Sequence, residues 1–304
     1  MKWIPRISLL ALPIVIGGYL GSYGYLFDLL SNFKLQMAYG LGTVVCMNVL
    51  LGNWKTVAWS FCLFLLVGAE LIMHSIPHSG DADGSRALNI YFANVLTSNK
   101  DHHLLVDQIQ KIDPEVIALV EVDARWVKAL DEINGYPFSK VIPRDDNFGI
   151  AIYSKYHLSR VEVQFFSDIP IPSLYCQIRP DENDEPISVL VTHPYPPSTR
   201  QGAISRNGAL ESMAEFVATS KDRTIVLGDL NITMWSPYYR KLEEVSGLYN
   251  ARQGFGICPT WPSTSFTMIP LDHCLLSKDL RADHFETLES IGSDHLPFRV
   301  TVLY

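Results

Sequence analysis

The fold class this sequence predicts is an α/β domain with mixed sheets, preceded by about three transmembrane helices. Three observations predict it. Residues 1–78 hold three long apolar runs. Downstream, helix-like segments alternate with strand-like ones at first, and strands dominate later. Strand after strand also stops on an Asn, Glu, His or Asp.

The apolar runs come first. Ile7 to Phe27 and Leu35 to Leu51 carry no charge, and Val57 to Ile76 carries only Glu70. A membrane span takes about 20 apolar residues, so the first and third runs fit and the second fits at the short limit. Trp3, Trp54 and Trp59 lie near run ends, where indole favours the membrane interface. Glu70 is placed to snorkel or to pair with a neighbouring helix. Two other readings of this region are a buried helical hairpin and a signal peptide in the first run, for which no convincing small-x-small cleavage site follows. With three spans, or with the first removed, the following domain emerges on the extracytoplasmic, periplasmic side. The distribution of Lys2, Arg6, Lys34, Lys55 and Arg86 leans weakly the same way.

Composition agrees. The chain of 304 residues is 48% hydrophobic and only 18% charged, with mean hydropathy +0.12. Average soluble chains carry roughly 25% charged residues. Disorder is excluded as the dominant state; five cysteines are too sparse for a disulfide scaffold, and they show no CxxC or Cys/His metal spacing. No internal period suggests a solenoid. The net charge of −8 divides unevenly: residues 1–78 carry four basic and two acidic side chains, leaving the rest near −10. The predicted organisation is a transmembrane region at 1–78, a small polar linker at 79–86 and one domain at 87–304.

Within that domain the elements follow in order. Strands are expected at Leu88–Asn94 and Val116–Val120. Between them a helix starts near Asp101 and stops before Pro114. A short helix fits Ala124–Ile133. Strands fit Gly149–Ser154, Val161–Phe166, Leu174–Ile178 and Ile187–Thr192. Leu210, Met213, Ala214 and Val217 form the stripe of a helix over Arg206–Thr219. Strands close the domain at Thr224–Leu227, Asp272–Leu276, Ala282–Thr287 and Phe298–Leu303.

The strand ends carry the chemistry. They place Asn94, Glu121, His193, Asp229, Asn231, Asp272, Asp294 and His295 where ligands gather in open α/β sheets. Carboxylate and amide oxygens suit hard Mg²⁺ or Mn²⁺, and histidines suit proton transfer near neutral pH. The combination fits attack by activated water on a phosphate ester. Any one of these residues alone is better read as a turn or cap. Their joint occurrence at six strand ends is the signal.

The ordered set Phe92-Ala93-Asn94, Val120-Glu121, Gly149-Ile150-Ala151-Ile152-Tyr153-Ser154, Thr192-His193-Pro194, Gly228-Asp229-Leu230-Asn231, Leu271-Asp272-His273-Cys274-Leu275 and Ser293-Asp294-His295-Leu296-Pro297 resembles the endonuclease/exonuclease/phosphatase superfamily, with deoxyribonuclease I among its members. A bacterial-type, membrane-anchored member is implied. The resemblance implies a two-sheet β-sandwich flanked by helices, and Mg²⁺-dependent phosphoester hydrolysis with Mn²⁺ as an alternative ion. It implies that Asn94 and Glu121 hold the metal with Asp294 beside it. Asp229 would orient or activate water, and Asn231 would bind the scissile phosphate. His295 would act as base or phosphate contact, oriented by Asp272, and His193 would donate to a phosphoryl oxygen.

Around this set, Arg206 and Arg200 are candidates to grip a second phosphate. Trp261 is a candidate to stack on a base or touch lipid, and Arg144 to Asn147 are candidates for the cleft rim. The expected activity is a nuclease-like phosphodiesterase anchored in the bilayer through 1–78. The alternatives are a phospholipid or sphingolipid head-group phosphodiesterase or phosphatase, and a non-catalytic membrane binding module. The acidic domain argues against avid duplex binding. No protein partner is inferred.

Overall fold

The computed structural model describes residues 8–78, 86–131, 133–181, 185–220 and 222–304. Apart from Arg86, the expected linker lies outside the described residues, as does Trp3.

The domain is a sandwich of two six-stranded sheets. The first has the order β11-β12-β1-β2-β4-β3, built from β1 (Ala87–Asn94), β2 (Val116–Val120), β3 (Phe138–Ile142), β4 (Ile150–Ser154), β11 (Arg281–Thr287) and β12 (Phe298–Leu303). The second has the order β5-β6-β7-β8-β10-β9, built from β5 (Leu158–Gln164), β6 (Ser173–Ile178), β7 (Ile187–Thr192), β8 (Arg223–Asp229), β9 (Tyr249–Asn250) and β10 (Asp272–Leu276). Each sheet has one parallel pair near its centre, β1 with β2 and β7 with β8; the other pairs are antiparallel.

Those central strands carry mostly apolar side chains along their middles, because both faces are buried there. Ile90, Phe92, Ala118 and Val120 meet Val189, Val191, Ile225 and Leu227 between the sheets. On the outside of the first sheet, Tyr91, Ile117 and Leu119 pack with α5 (His102–Ile112) and α6 (Ala124–Leu130) through Leu105, Ile109 and Trp126. On the outside of the second, Leu190, Val226 and Leu275 pack with α7 (Arg200–Ala218) and α8 (Pro237–Ser246) through Leu210, Met213, Tyr239 and Leu242.

The expected strands all form, with ends shifted by at most a few residues. Helix α7 starts a turn and a half earlier than expected, at Arg200, because Thr199 caps it by accepting from Gly202 N at 3.0 Å. Strand β3, helix α8 and strand β9 were not anticipated.

The expectation of three transmembrane helices is revised. The first apolar run does not form one span. It gives α1 (Ala11–Gly17), a 3₁₀ turn (Gly21–Tyr23) and α2 (Tyr25–Ser31), interrupted where Gly17, Gly18, Gly21 and Gly24 weaken helix propagation. The second run gives α3 (Lys34–Leu50) and the third α4 (Trp54–Met73), paired as a hairpin across Gly52 at φ 66°. Among the described residues only α4, 20 residues with mean hydropathy 2.0, is long and apolar enough to cross a membrane. Leu65, Leu66, Ile72 and Phe61 are exposed on its surface. Glu70 pairs with the buried Lys34 at 3.1 Å and with Arg240 of α8 at 3.6 Å.

Candidate active site

Seven of the eight strand-end residues crowd together at one edge of the sandwich, and Asp294 lies on the rim beside them. A cavity of about 630 Å³ there is lined by Glu121, His193, Asp229, Asn231, Asp294 and His295, among others. Asn94 and Asp272 lie just behind and bond to members of that wall.

Three strand ends fix the acidic centre. Asn94 ends β1, Glu121 follows β2 and Asp229 ends β8. The Asn94 amide ties them together: its Nδ2 donates to Glu121 Oε1 at 2.8 Å and to Asp229 Oδ2 at 3.1 Å, while its Oδ1 accepts from Leu96 N at 3.1 Å. Glu121 turns out of its strand through left-handed backbone, φ 65°. For a non-glycine residue such a conformation costs on the order of 1–3 kcal/mol and persists only when surroundings enforce it. Thr97 does so, donating its N to Glu121 Oε2 at 3.3 Å and its hydroxyl to Glu121 O at 3.0 Å. Asn231, also left-handed at φ 52°, folds back so that its N–H donates to Asp229 Oδ1 at 3.0 Å, and its Nδ2 donates to Pro194 O at 3.1 Å.

Two close backbone approaches explain the glycines in the motifs. A Cβ on Gly228 would lie 2.2 Å from Thr192 O, and one on Gly149 would lie 1.8 Å from Val122 O, immediately after Glu121. Gly149→Ala is expected to destabilise the protein by about 2 kcal/mol or more, because rigid backbone must move to admit the methyl. A denaturation midpoint unchanged from the parent would refute this.

Two histidines flank Asp229. His193 Nε2 lies 3.5 Å and His295 Nε2 3.6 Å from Asp229 Oδ2. His295 Nδ1 is bonded to Asp272 Oδ2 at 2.8 Å, which fixes the ring. Burial alone would lower the His295 pKa. The carboxylates of Asp272 and Asp229 outweigh it and raise the value to about 10. Burial raises the Asp229 carboxyl above the ordinary range, Asp272 adds to this and the His295 charge opposes it. His193 Nδ1 is buried without a hydrogen-bond partner among the described residues.

The remaining candidates separate. Trp261 lines the cavity, and its Nε1 donates to Asp294 Oδ2 at 3.1 Å, on the exposed side. Asp146 and Asn147 line the rim, and Arg144 Nε binds Asp146 Oδ1 at 2.8 Å. Arg206 does not line the cavity. Its side chain is completely buried and fully occupied, with Nη1 donating to Asn231 O at 2.8 Å, Nε to Asn207 Oδ1 at 2.9 Å and Nη2 to Asp28 Oδ2. It is thus a support under the Asn231 loop and not a free guanidinium for phosphate.

Sequence reasoning missed the contribution of α2 and its continuation. Leu29, Asn32 and Phe33 line the same cavity. Asp28 accepts from Ser236 Oγ at 2.8 Å as well as from Arg206. Asn32 Oδ1 accepts from Thr233 N at 2.7 Å. The only local signal was two polar residues, Asp28 and Asn32, one helical turn apart beside apolar runs.

Among curated proteins none matches this chain in sequence. The fold is similar to Danio rerio TDP2 complexed with single strand DNA product (TM-score 0.61, 16% identity, 72% of this chain and 100% of that one). It is also similar to the Bacteroides thetaiotaomicron mannosyl-6-phosphatase (0.61, 15%, 71% and 100%). The human Nocturnin catalytic domain is a third such structure (0.58, 18%, 73% and 97%). The sequence model of the Endonuclease/Exonuclease/phosphatase family matches residues 87–295, from the first residue of β1 to His295 itself, and the chain belongs to that family.

Proposed function

We propose that the protein is a membrane-anchored phosphodiesterase, dependent on Mg²⁺ or Mn²⁺, in which residues 87–304 hydrolyse a phosphoester by attack of water. The observation that carries this reading is Asp229 held between two histidine Nε2 atoms at 3.5 and 3.6 Å in a cavity that Glu121 also faces. Anchoring through α4 and an extracytoplasmic catalytic domain complete the reading. Protease added to intact spheroplasts is expected to digest the domain; digestion only after lysis would reverse the orientation.

The donor set fits a hard cation. Glu121 is buried, its oxygens meet one amide and one backbone N–H, and no cationic side chain among the described residues pairs with it. Glu121 with Asn94 would hold the ion, with Asp294 on the adjoining rim. Asp229, Asp272 and His295 are a second cluster of suitable ligand atoms, all within 4.8 Å of one another. There, however, Asp272 and His295 already satisfy each other. The ion would neutralise charge on phosphoryl oxygens and acidify water.

The protein's own groups divide the remaining work. Asp229 orients the attacking water and accepts its proton. His295, kept protonated by Asp272 and Asp229, donates Nε2–H to a phosphoryl oxygen and so serves as a phosphate contact rather than a base at neutral pH. His193 donates from the other side, and the Asn231 amide holds a further oxygen as charge builds. The relatives support a broad substrate class, since one is bound to a DNA product and another is a sugar phosphatase.

The test uses the full chain in detergent with Mg²⁺ or Mn²⁺, supercoiled plasmid and bis-p-nitrophenyl phosphate. Chelator is expected to abolish hydrolysis. Glu121→Gln is expected to lower it about a hundredfold or more, the scale of lost charge stabilisation at such sites. Full activity in both cases would sink the proposal.

A further inference from the structure

The catalytic cavity has one wall that lies outside the family's segment. Leu29 and Phe33 reach it from the membrane region and line it together with Trp261, Ile269 and Leu271. This wall is built into the domain. Asn32 Oδ1 accepts from both Thr233 N (2.7 Å) and Thr233 Oγ1 (3.0 Å). Tyr25 OH donates to Pro197 O at 3.0 Å, and Gln36 Nε2 donates to Thr267 O at 2.7 Å. Both Pro197 and the stretch leading to Ile269 belong to loops that shape the cavity.

The cavity therefore has two characters. Glu121, Asp229 and His295 suit a phosphate; Leu29, Phe33 and Ile269 suit hydrocarbon. Phe33 also lines a second cavity of about 270 Å³ between α1 and α3, bounded by Ile14, Leu30, Met37, Gly40 and Leu41 among others. Gln36 is the single polar side chain among the described residues that line it. Gly40 lines this groove from an exposed position, and a Cβ placed on it would meet nothing within 4 Å. Val15, Met37 and Leu41 of its lining pack with Val67 of α4, the helix long and apolar enough to cross a membrane, so with α4 inserted a chain lying there would come from the hydrocarbon layer.

We propose that the substrate is an amphiphilic phosphodiester from the surrounding bilayer: its phosphate binds at Asp229 and His295, and its long apolar chain passes over Phe33 into the groove between α1 and α3. The segment Leu29–Phe33 is then the part of the chain that selects the substrate. This proposal rests on the phosphoesterase reading. In the reaction, water oxygen bonds to phosphorus, the ester P–O bond breaks and the leaving alcohol departs with a proton, giving a phosphomonoester.

The experiment compares hexadecyl p-nitrophenyl phosphate with methyl p-nitrophenyl phosphate on the full chain in bilayer nanodiscs with Mn²⁺, following p-nitrophenolate release. The expected kcat/KM ratio favours the hexadecyl ester about tenfold or more, because burying methylenes is favourable. Gly40→Phe, which adds a ring at the groove's lining, is expected to bring that ratio close to one, chiefly through KM for the long ester. Partition of the long ester into the bilayer is the same for parent and variant. A ratio that is high but unchanged in Gly40→Phe therefore overturns the proposal, as does a parental ratio near one. Hydrolysis of neither ester by the parent overturns the phosphoesterase reading and this proposal with it. Size-exclusion and circular-dichroism profiles matching the parent establish that Gly40→Phe is folded. If Gly40→Phe is not folded, Phe33→Ala carries the same expectation for the ratio.

Discussion

Asp28→Ala is expected to destabilise the protein by about 3–5 kcal/mol, the scale seen when one partner of a buried ion pair is removed. Arg206 is completely buried, burial pulls its pKa down, and Asp28 is the main influence that restores it. With Asp28 gone, the Arg206 guanidinium keeps, among the described residues, only Asn207 and the carbonyl of Asn231, and Ser236 Oγ loses its acceptor. The loss is expected as a lower thermal midpoint of the detergent-solubilised chain, and a midpoint within error of the parent would contradict it. Replacing both partners, Asp28→Leu with Arg206→Met, is expected to recover much of the loss, because it strands no charge. The same contacts make a fragment that begins at residue 79 a poor substitute for the full chain. It would leave Arg206 and Thr233 N without partners that the described structure provides.

His295→Ala is expected to lower turnover by about a hundred- to ten-thousandfold, the usual range for a positioned proton donor or acceptor. Asp272→Asn keeps a hydrogen-bonding group but removes the charge that raises the His295 pKa. The His295 titration should therefore move down from about 10, which an NMR titration of the metal-free protein reads directly. The sign of the stability effect follows from linkage. A histidine whose folded pKa is raised stabilises fully below its unfolded value, near 6.5, and loses that contribution as pH climbs through about 10. The metal-free protein should lose thermal stability across that interval, and His295→Ala should lack that part of the fall. An identical pH profile in the variant would show that His295 is not charged at neutral pH.

What the sequence discloses, and what it hides, has physical causes. Strands β2, β7, β10 and β12 were legible to the residue. The first three are buried on both faces, β2 as an unbroken apolar run, and Phe298–Leu303 alternates cleanly. Strand β3 was not legible, because Phe138–Ile142 is only half-buried and its pattern decides nothing. Helix α8 has few apolar residues, although Ser236 followed by Pro237 is a recognisable helix start, with Ser236 Oγ accepting from Tyr238 N at 3.3 Å. The clustering of Asn94, Glu121, His193, Asp229, Asn231, Asp272 and His295 followed from strand ends meeting at one edge. Arg206 was misjudged because what neutralises it lies 178 positions earlier in a segment that reads simply as membrane anchor.

That separation bears on how the chain is made. Asp28 and Asn32 leave the ribosome 178 and 201 residues ahead of Arg206 and Thr233. At about 5–20 residues per second, that is an interval of roughly 10–40 s. During it, a carboxylate and an amide destined for burial wait beside apolar helices without the partners that bury them. The buried contacts of Asp28 and Asn32 can form only once Arg206 and Thr233 have been made, so the N-terminal helices and the sandwich complete each other late. The order of synthesis thus sets Asp28, Asn32, Leu29 and Phe33 in the chain well before the strands of the cavity they help to wall.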